Sequence, residues 1–253
     1  MEAFYRKSFT LSDLHLDCNR RLKPAVLLYF VQEVSSTHAA MLGSDWETLA
    51  EKNLFWAIIR HKVQITRMPQ AGETITLETW PMPTTRVAYP RATVAYDEQG
   101  NELFRTVALW VLMDLQTRAM VLPGKSGVTV NGLIRGNELD IPPSIIPKAL
   151  ENHVLRTVGY TELDRNGHMN NTRYLDWVDD LLPGAFHQEH PMKEILLCYL
   201  AEAREGQQIH LFWNQNETGE LSVDALRQDE HDPVKTHRIF ASKVTFPNAG
   251  VCR

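Results

Sequence analysis

The densest group of reactive side chains lies at residues 163–174, Leu-Asp-Arg-Asn-Gly-His-Met-Asn-Asn-Thr-Arg-Tyr. Asp164, Asn166 and His168 recur at every second position. In extended chain that spacing puts all three on one face, but Asn166-Gly167 is a strong turn signal. Asn170 and Asn171 suit the N-cap of a helix that follows. Free N–H groups at such a helix start could stabilise an oxyanion. The other reading is structural: Asp164 and the asparagines cap and turn, with His168 on an exposed loop.

Glu202 is the second candidate. It follows a strand whose two faces, Leu196/Cys198/Leu200 and Ile195/Leu197/Tyr199/Ala201, are both apolar. A carboxylate at the end of a buried strand would be partly desolvated, which raises its pKa toward that of a useful general base. Its structural alternative is an ion pair with Arg204. Cys198, among apolar neighbours, reads as core and not as an activated nucleophile. His38 is in helical register with Leu27, Val31 and Val34, as a core histidine or as part of a pocket wall. Arg20, Arg21 and Lys23, and Arg60 and Lys62 around His61, form local basic patches. Such patches are either solvated surface or a landing site for an acidic partner.

The elements that must position these groups occur twice. Residues 4–10 read as a strand and 24–42 as a long helix, opened by Pro24 and stopped at Gly43. Its apolar stripe of Leu27, Val31, Val34, Met41 and Leu42, widened by Val26, Leu28, Tyr29 and Phe30, predicts a helix wrapped by other structure. Strands follow at 54–66, 74–80, 91–96 and 103–115, an antiparallel meander. Residues 123–147 hold four prolines and four glycines and read as a linker. The pattern then restarts: a strand at 153–161, a helix at about 172–182, and strands at 194–201, 207–213, 221–227 and 237–246. The expected organisation is 1–123, a linker at 124–150, and 151–253.

Two short matches support an internal repeat. Asp17-Cys-Asn19 corresponds to Asp164-Arg-Asn166 at a shift of 147, and the segment from Gly72 to Trp80 corresponds to that from Gly206 to Trp213 at a shift of 134. The 13-residue difference points to an insertion near 45–57. At these shifts His168 lies opposite Arg21, and Glu202 opposite Met68. The second copy alone carries an ionisable pair, so chemistry is expected there and substrate binding in the first.

Composition narrows the class. The chain has 253 residues, 43% hydrophobic and 23% charged, and a net charge of −5. An acidic chain with scattered cations is a poor non-specific nucleic-acid binder. The longest unbroken apolar runs, that at 25–31 among them, are far short of the ~20 residues of a membrane span. Cys18, Cys198 and Cys252 form neither a C-x-x-C pattern nor an even set. A reducing cytoplasm is expected, since no apolar signal region opens the sequence. Neither a glycine-rich nucleotide loop nor a G-x-S-x-G or H-E-x-x-H motif occurs.

The run Asp164-Arg-Asn166-Gly-His168-Met-Asn170-Asn171-Thr-Arg-Tyr174-Leu-Asp-Trp177, with Tyr199-Leu-Ala-Glu202 downstream, resembles the active-site signature of the acyl-acyl carrier protein (acyl-ACP) thioesterases. The segment from Gly72 to Trp80 is also similar to that family. The resemblance covers nearly the whole chain. It implies an α+β double hotdog fold: two tandem repeats, each a long helix wrapped by an antiparallel β-sheet. It implies hydrolysis of the thioester joining a fatty acyl chain to the phosphopantetheine of acyl carrier protein, in a bacterial setting. The family's catalytic Asp, Asn, His and Glu fall on Asp164, Asn166, His168 and Glu202. A hotdog helix can leave a tunnel for an acyl chain, here along Leu27, Val31, Val34 and His38. Arg20, Lys23, Arg60 and Lys62 are then the expected carrier contacts. No metal or cofactor is expected, because a thiolate leaves readily. A homodimer is allowed. Acyl-CoA as substrate, for a thioesterase or a dehydratase, and a non-catalytic acyl-binding module are the alternatives. Plant members often carry a cysteine after the Glu; Ala203 stands there in this chain.

Overall fold

The computed structural model describes residues 3–229, 232 and 234–247; Cys252 lies outside the described residues. Two compact units divide at Pro142/Pro143.

The first unit contains β1 (Tyr5–Thr10), α1 (Pro24–Met41), α2 (Trp46–Ala50), β2 (Leu54–Ile65), β3 (Thr74–Pro81), β4 (Tyr89–Tyr96), β5 (Glu102–Asp114), β6 (Met120–Val121) and α3 (Pro123–Ser126). Its strands are antiparallel in the order β1-β3-β4-β5-β2, with β6 beside β5. The second contains β7 (Asn152–Thr157), α4 (Arg173–Asp179), α5 (Gly184–Glu189), β8 (Glu194–Tyr199), β9 (Gln208–Gln215), β10 (Glu220–Gln228) and β11 (Thr236–Thr245). Its antiparallel order is β7-β9-β10-β11-β8, the same connectivity. The registers repeat as well: Tyr5 faces Thr79 and Asn152 faces Trp213, which are the two sequence shifts of 147 and 134.

Helix α1 forms where its composition requires. Pro24 sits in its first turn, and Gly43 ends it at φ +71°, a conformation glycine takes without strain. It packs on β1 and β3. Leu27, Leu28, Phe30, Val31 and Val34 are buried, each worth about 1.5–3 kcal/mol of apolar transfer. Tyr29 and Met41 are instead exposed, so the apolar stripe is narrower than the sequence suggests.

The second helix departs from expectation. α4 has only 7 residues, and Pro183 separates it from α5, because proline cannot donate to a continuing helix. At the shift of 147, α1 covers the positions of both α4 and α5, and at the shift of 134, β8 matches only the last half of β2, so the 13-residue excess falls between the end of α1 and the middle of β2, close to the expected 45–57. α1 has 18 residues, and β2 has 12 against 6 in β8.

The proline-rich segment is fastened down at both ends. In the first unit Val128 and Val130 pack against Leu49, Leu54, Tyr89 and Leu112. Leu133 and Leu139 pack around Trp80. Glu78 receives Arg135 Nη1 at 2.6 Å, and Glu138 accepts a bond from Trp80 Nε1 at 3.0 Å. In the second unit Ile145 packs with Leu196, Cys198 and Ala241, while Arg238 Nη1 donates to its carbonyl at 2.7 Å.

Gly132 fixes how closely this strap lies on the first unit. A Cβ there would meet Pro83 N at 2.3 Å, a backbone atom that cannot move aside. Gly132→Ala should destabilise the protein by about 1–3 kcal/mol, the usual cost of overpacking. Denaturant unfolding measures this; parental stability would mean the strap is not seated as described.

Candidate active site

Residues 159–170 form two consecutive turns, each closed by a side chain. The first is a single helical turn at Tyr160–Glu162. Glu162 Oε2 accepts the Gly159 N–H at 2.7 Å, and its Oε1 accepts Trp177 Nε1 at 2.6 Å. The second turn is organised by Asp164. Its Oδ1 accepts the N–H of Asn166 at 2.7 Å and of His168 at 3.3 Å. Gly167 takes φ +75°, and Asp164 N donates to the His168 carbonyl at 2.7 Å. Met169 N then donates to the Ala203 carbonyl at 2.8 Å, which sets this loop beside the one carrying Glu202.

The result is a contact between the two residues picked out by the internal repeat. His168 Nε2 lies 3.2 Å from Glu202 Oε2. The His168 side chain is 14% exposed and that of Glu202 is 43% exposed. Glu202 is therefore not desolvated at the end of a buried strand: β8 stops at Tyr199, Leu200 is exposed, and Glu202 stands on the loop beyond. Its backbone is braced instead. Arg227 Nη1 donates to the Glu202 carbonyl at 3.2 Å and to Gln207 Oε1 at 2.9 Å. The Asn166 side chain is exposed, with its Nδ2 3.4 Å from Asp164 Oδ2.

Thr172, immediately before α4, is already in helical conformation and makes no side-chain cap bond; Asn170 caps the helix start, and Asn171 does not. Asn170 Oδ1 accepts the Thr172 N–H and hydroxyl, each at 2.9 Å, and the Asn170 N–H donates to the Glu162 carbonyl. Arg173 N is used on the Asn170 carbonyl. The helix start thus spends the N–H groups of Asn170, Thr172 and Arg173 internally. Asn171 receives Tyr199 Oη on its carbonyl at 3.2 Å. Burial raises the pKa of Tyr199 and of Tyr174, so both phenols stay neutral at physiological pH.

The first unit builds the same loop with different projecting side chains. Asp17 Oδ1 accepts the N–H of Asn19 and Arg21, each at 2.9 Å, and Leu22 N donates to the Pro69 carbonyl at 2.8 Å. Arg20, at the position of Gly167, is held at φ +61°. The positions of His168 and Glu202 are filled by Arg21 and Met68.

Glu162 and Arg227 are the residues of the site that sequence reasoning misses. The spacing Gly159-x-x-Glu162, a reach-back of the capping-box kind, is the readable signal for the first. Nothing local marks Arg227, which arrives from β10.

Leu27, Val31, Val34 and His38 are all buried. A pocket of about 540 Å³, counted to its open mouth, lies along the neighbouring face of α1, lined by Ser35, Ala39, Leu42, Trp56 and Trp110 among others. None of those four lines this pocket. The face expected to border a tunnel packs instead as core.

The basic patches are less continuous than they look. Arg20 and Lys23 are exposed and Lys62 is half-buried. Arg60 donates to the Pro142 carbonyl at 3.1 Å. His61, between them, is buried and bonded to Thr106 Oγ1. Cys198 is core, with Sγ 3.8 Å from the Pro143 carbonyl.

The sequence matches the Acyl-ACP thioesterase N-terminal domain over residues 2–122 and the Acyl-ACP thioesterase C-terminal domain over 148–242. The chain belongs to the acyl-ACP thioesterase family. It is 24% identical over 216 residues to a chloroplastic palmitoyl-acyl carrier protein thioesterase of Gossypium hirsutum, covering 78% of this chain and 52% of that protein. The chain thus spans about half the length of that curated relative. Its fold is that of an acyl-ACP thioesterase from Bacteroides thetaiotaomicron (TM-score 0.86, 24% identity, 96% of this chain and 98% of that one). A 12:0-ACP thioesterase from Umbellularia californica is also similar (TM-score 0.81, 19% identity, 97% and 98%). Among the described residues no helix is long and apolar enough to cross a membrane.

Burial of His61 has a measurable consequence. Desolvation lowers the pKa of its imidazole to about 3, against an ordinary value of 6.5. Between those values the unfolded chain binds a proton that the folded chain does not. Stability is therefore full above pH 6.5 and is lost as pH falls toward 3, by about 1.4 kcal/mol per unit from this group. His61→Gln should remove that increment from the pH dependence of unfolding. A parent-minus-variant difference that stays flat from pH 6.5 to 4 would contradict it.

Proposed function

We propose that this protein hydrolyses the thioester of fatty acyl-acyl carrier protein, releasing the fatty acid. The observation that carries the reading is the 3.2 Å contact between His168 and Glu202, at positions where the otherwise matching loop of the first unit has Arg21 and Met68. Glu202 acts as general base and takes a proton from water as its oxygen attacks the thioester carbonyl. His168 holds the carboxylate in place through Nε2. The exposed amide of Asn166 donates to the carbonyl oxygen as negative charge develops there, and Asp164 fixes the turn that presents both residues. Collapse of the tetrahedral intermediate expels the phosphopantetheine thiolate. That thiolate is a good leaving group, so a base and hydrogen-bond donors suffice.

The two units divide the labour: chemistry in the second, acyl-chain binding in the first. The pocket beside α1 is open, and Ala39, Leu42, Trp56 and Trp110 give it apolar walls, which suits an alkyl chain. The carrier, as an acidic protein, is drawn to the exposed cations Arg20 and Lys23 and the half-buried Lys62, in keeping with electrostatic steering. A bacterial cytoplasm is the proposed setting; Cys18 and Cys198 as free thiols are compatible with it.

Glu202→Ala should lower kcat by about 10²-fold or more, the scale of general-base loss, with the circular dichroism of the parent retained. Release of thiol from matched acyl-ACP and acyl-CoA substrates is the assay, and the parent should favour the carrier-linked chain. Full turnover by a folded Glu202→Ala protein would remove Glu202 from the mechanism. Preference for acyl-CoA would assign a different substrate class.

A further inference from the structure

The pocket of the first unit contains a feature that an alkyl chain alone does not require. Arg91, on β4, lines it and is only 9% exposed. A buried guanidinium is ordinarily matched by a carboxylate, because its charge is costly to strip of water. Here there is none within 4.0 Å among the described residues. The nearest carboxylate in sequence on the adjoining strand, Glu78, is bound to Arg6 and Arg135.

The partners Arg91 does have are neutral, and both are reached through a single nitrogen. Nη1 lies 3.1 Å from His38 Nδ1 and 3.4 Å from Thr79 Oγ1. Thr79 donates its own proton to the Ala92 carbonyl at 2.9 Å and also receives Thr93 Oγ1 at 3.0 Å. Its hydroxyl is therefore oriented to accept from Arg91. His38 Nδ1, to accept as well, belongs to a neutral imidazole protonated on Nε2. The arrangement fixes the guanidinium in place and leaves its charge unbalanced. Desolvation lowers the Arg91 pKa to about 10, so the group is still a cation at neutral pH.

The rest of the pocket's polar lining supports the same conclusion. Ser35 Oγ, Ser44 Oγ and Trp56 Nε1 all donate to backbone carbonyls, and Tyr89 Oη is bonded to Ser126. Trp110 Nε1 is buried without a partner. The pocket thus leaves unused the remaining N–H groups of Arg91 and one indole N–H, beside the hydroxyl of Ser36. A wall with spare donors, a fixed cation and apolar neighbours is complementary to an anion on an alkyl stem.

We infer that the pocket beside α1 is a carboxylate-binding site built on Arg91, taking an aliphatic chain that ends in a carboxylate. That carboxylate has two sources. It can be the far end of a dicarboxylic acid still held as a thioester, which rests on the thioesterase reading, or the head of a free fatty acid bound as an inhibitor.

The test uses the full chain and two kinds of measurement. Octanoate and 1-octanol are titrated calorimetrically into the parent, Arg91→Gln and Arg91→Lys, with thermal melts as the check on folding. The parent should bind octanoate about tenfold or more tighter than the alcohol, the scale of a charge-assisted hydrogen bond. Arg91→Gln should abolish the preference and Arg91→Lys should keep part of it. Equal binding of acid and alcohol by the parent, or an undiminished preference in folded Arg91→Gln, overturns the site. The second measurement compares octanoyl- and hemisuberyl-pantetheine hydrolysis in parent and Arg91→Gln. A hemisuberyl-to-octanoyl ratio of kcat/KM that falls about tenfold in the variant supports the dicarboxylic chain. An unchanged ratio with inhibition by octanoate weakened about tenfold supports the free acid. If the parent hydrolyses neither thioester, the thioesterase reading fails, while the calorimetric preference still decides the pocket.

Discussion

The candidate site depends on one backbone hydrogen bond and the turn behind it. Met169 N on the Ala203 carbonyl, at 2.8 Å, joins two loops that are more than thirty residues apart in sequence. Asp164 shapes the first loop, and Arg227 with Gln207 holds the second. Only with both loops fixed does His168 meet Glu202. Neither side chain is on a helix or strand, so their geometry is set by a few polar contacts and not by the core. Such contacts tolerate little change, because a loop without them loses more conformational entropy to reach the same arrangement.

The first unit shows that this scaffold is separable from the chemistry it carries. Asp17 and the bond from Leu22 to Pro69 reproduce the same two-loop junction. The same strand order surrounds it. Yet Arg21 and Met68 stand where the imidazole and carboxylate stand in the second copy. A duplicated framework thus keeps its turns for structural reasons while the projecting side chains diverge. The divergence extends to the helices. α1 runs unbroken and has an open pocket along one face, whereas Pro183 cuts the corresponding segment short.

Much of this is legible in the sequence, and what is legible shares a cause. Strand alternation, Pro24 and Gly43 at the ends of α1, and the two repeat shifts all depend on local chemistry, and each has a counterpart in the structure. The pairing of His168 with Glu202 emerges from comparing the chain with itself. The misreadings concern what only tertiary placement decides. Glu202 looks desolvated because β8 is apolar on both sides, but the strand ends three residues earlier. The stripe of Leu27, Val31, Val34 and His38 reads as a tunnel wall, although periodicity alone cannot tell a packed face from an open one. The segment at 124–150 carries the prolines of a linker, and its anchoring contacts come from strands distant in sequence.

In the proposed mechanism the contact between His168 and Glu202 makes the two residues one unit in turnover. A double-mutant cycle measures this most directly: kcat/KM on an acyl-acyl carrier protein substrate for the parent, His168→Ala, Glu202→Gln and the double variant, all shown to be folded. With the pair acting together, the losses are strongly non-additive, and the double variant is little worse than the more damaging single one. Free-energy losses that simply add would show that His168 and Glu202 act independently, and would contradict a catalytic role for their contact.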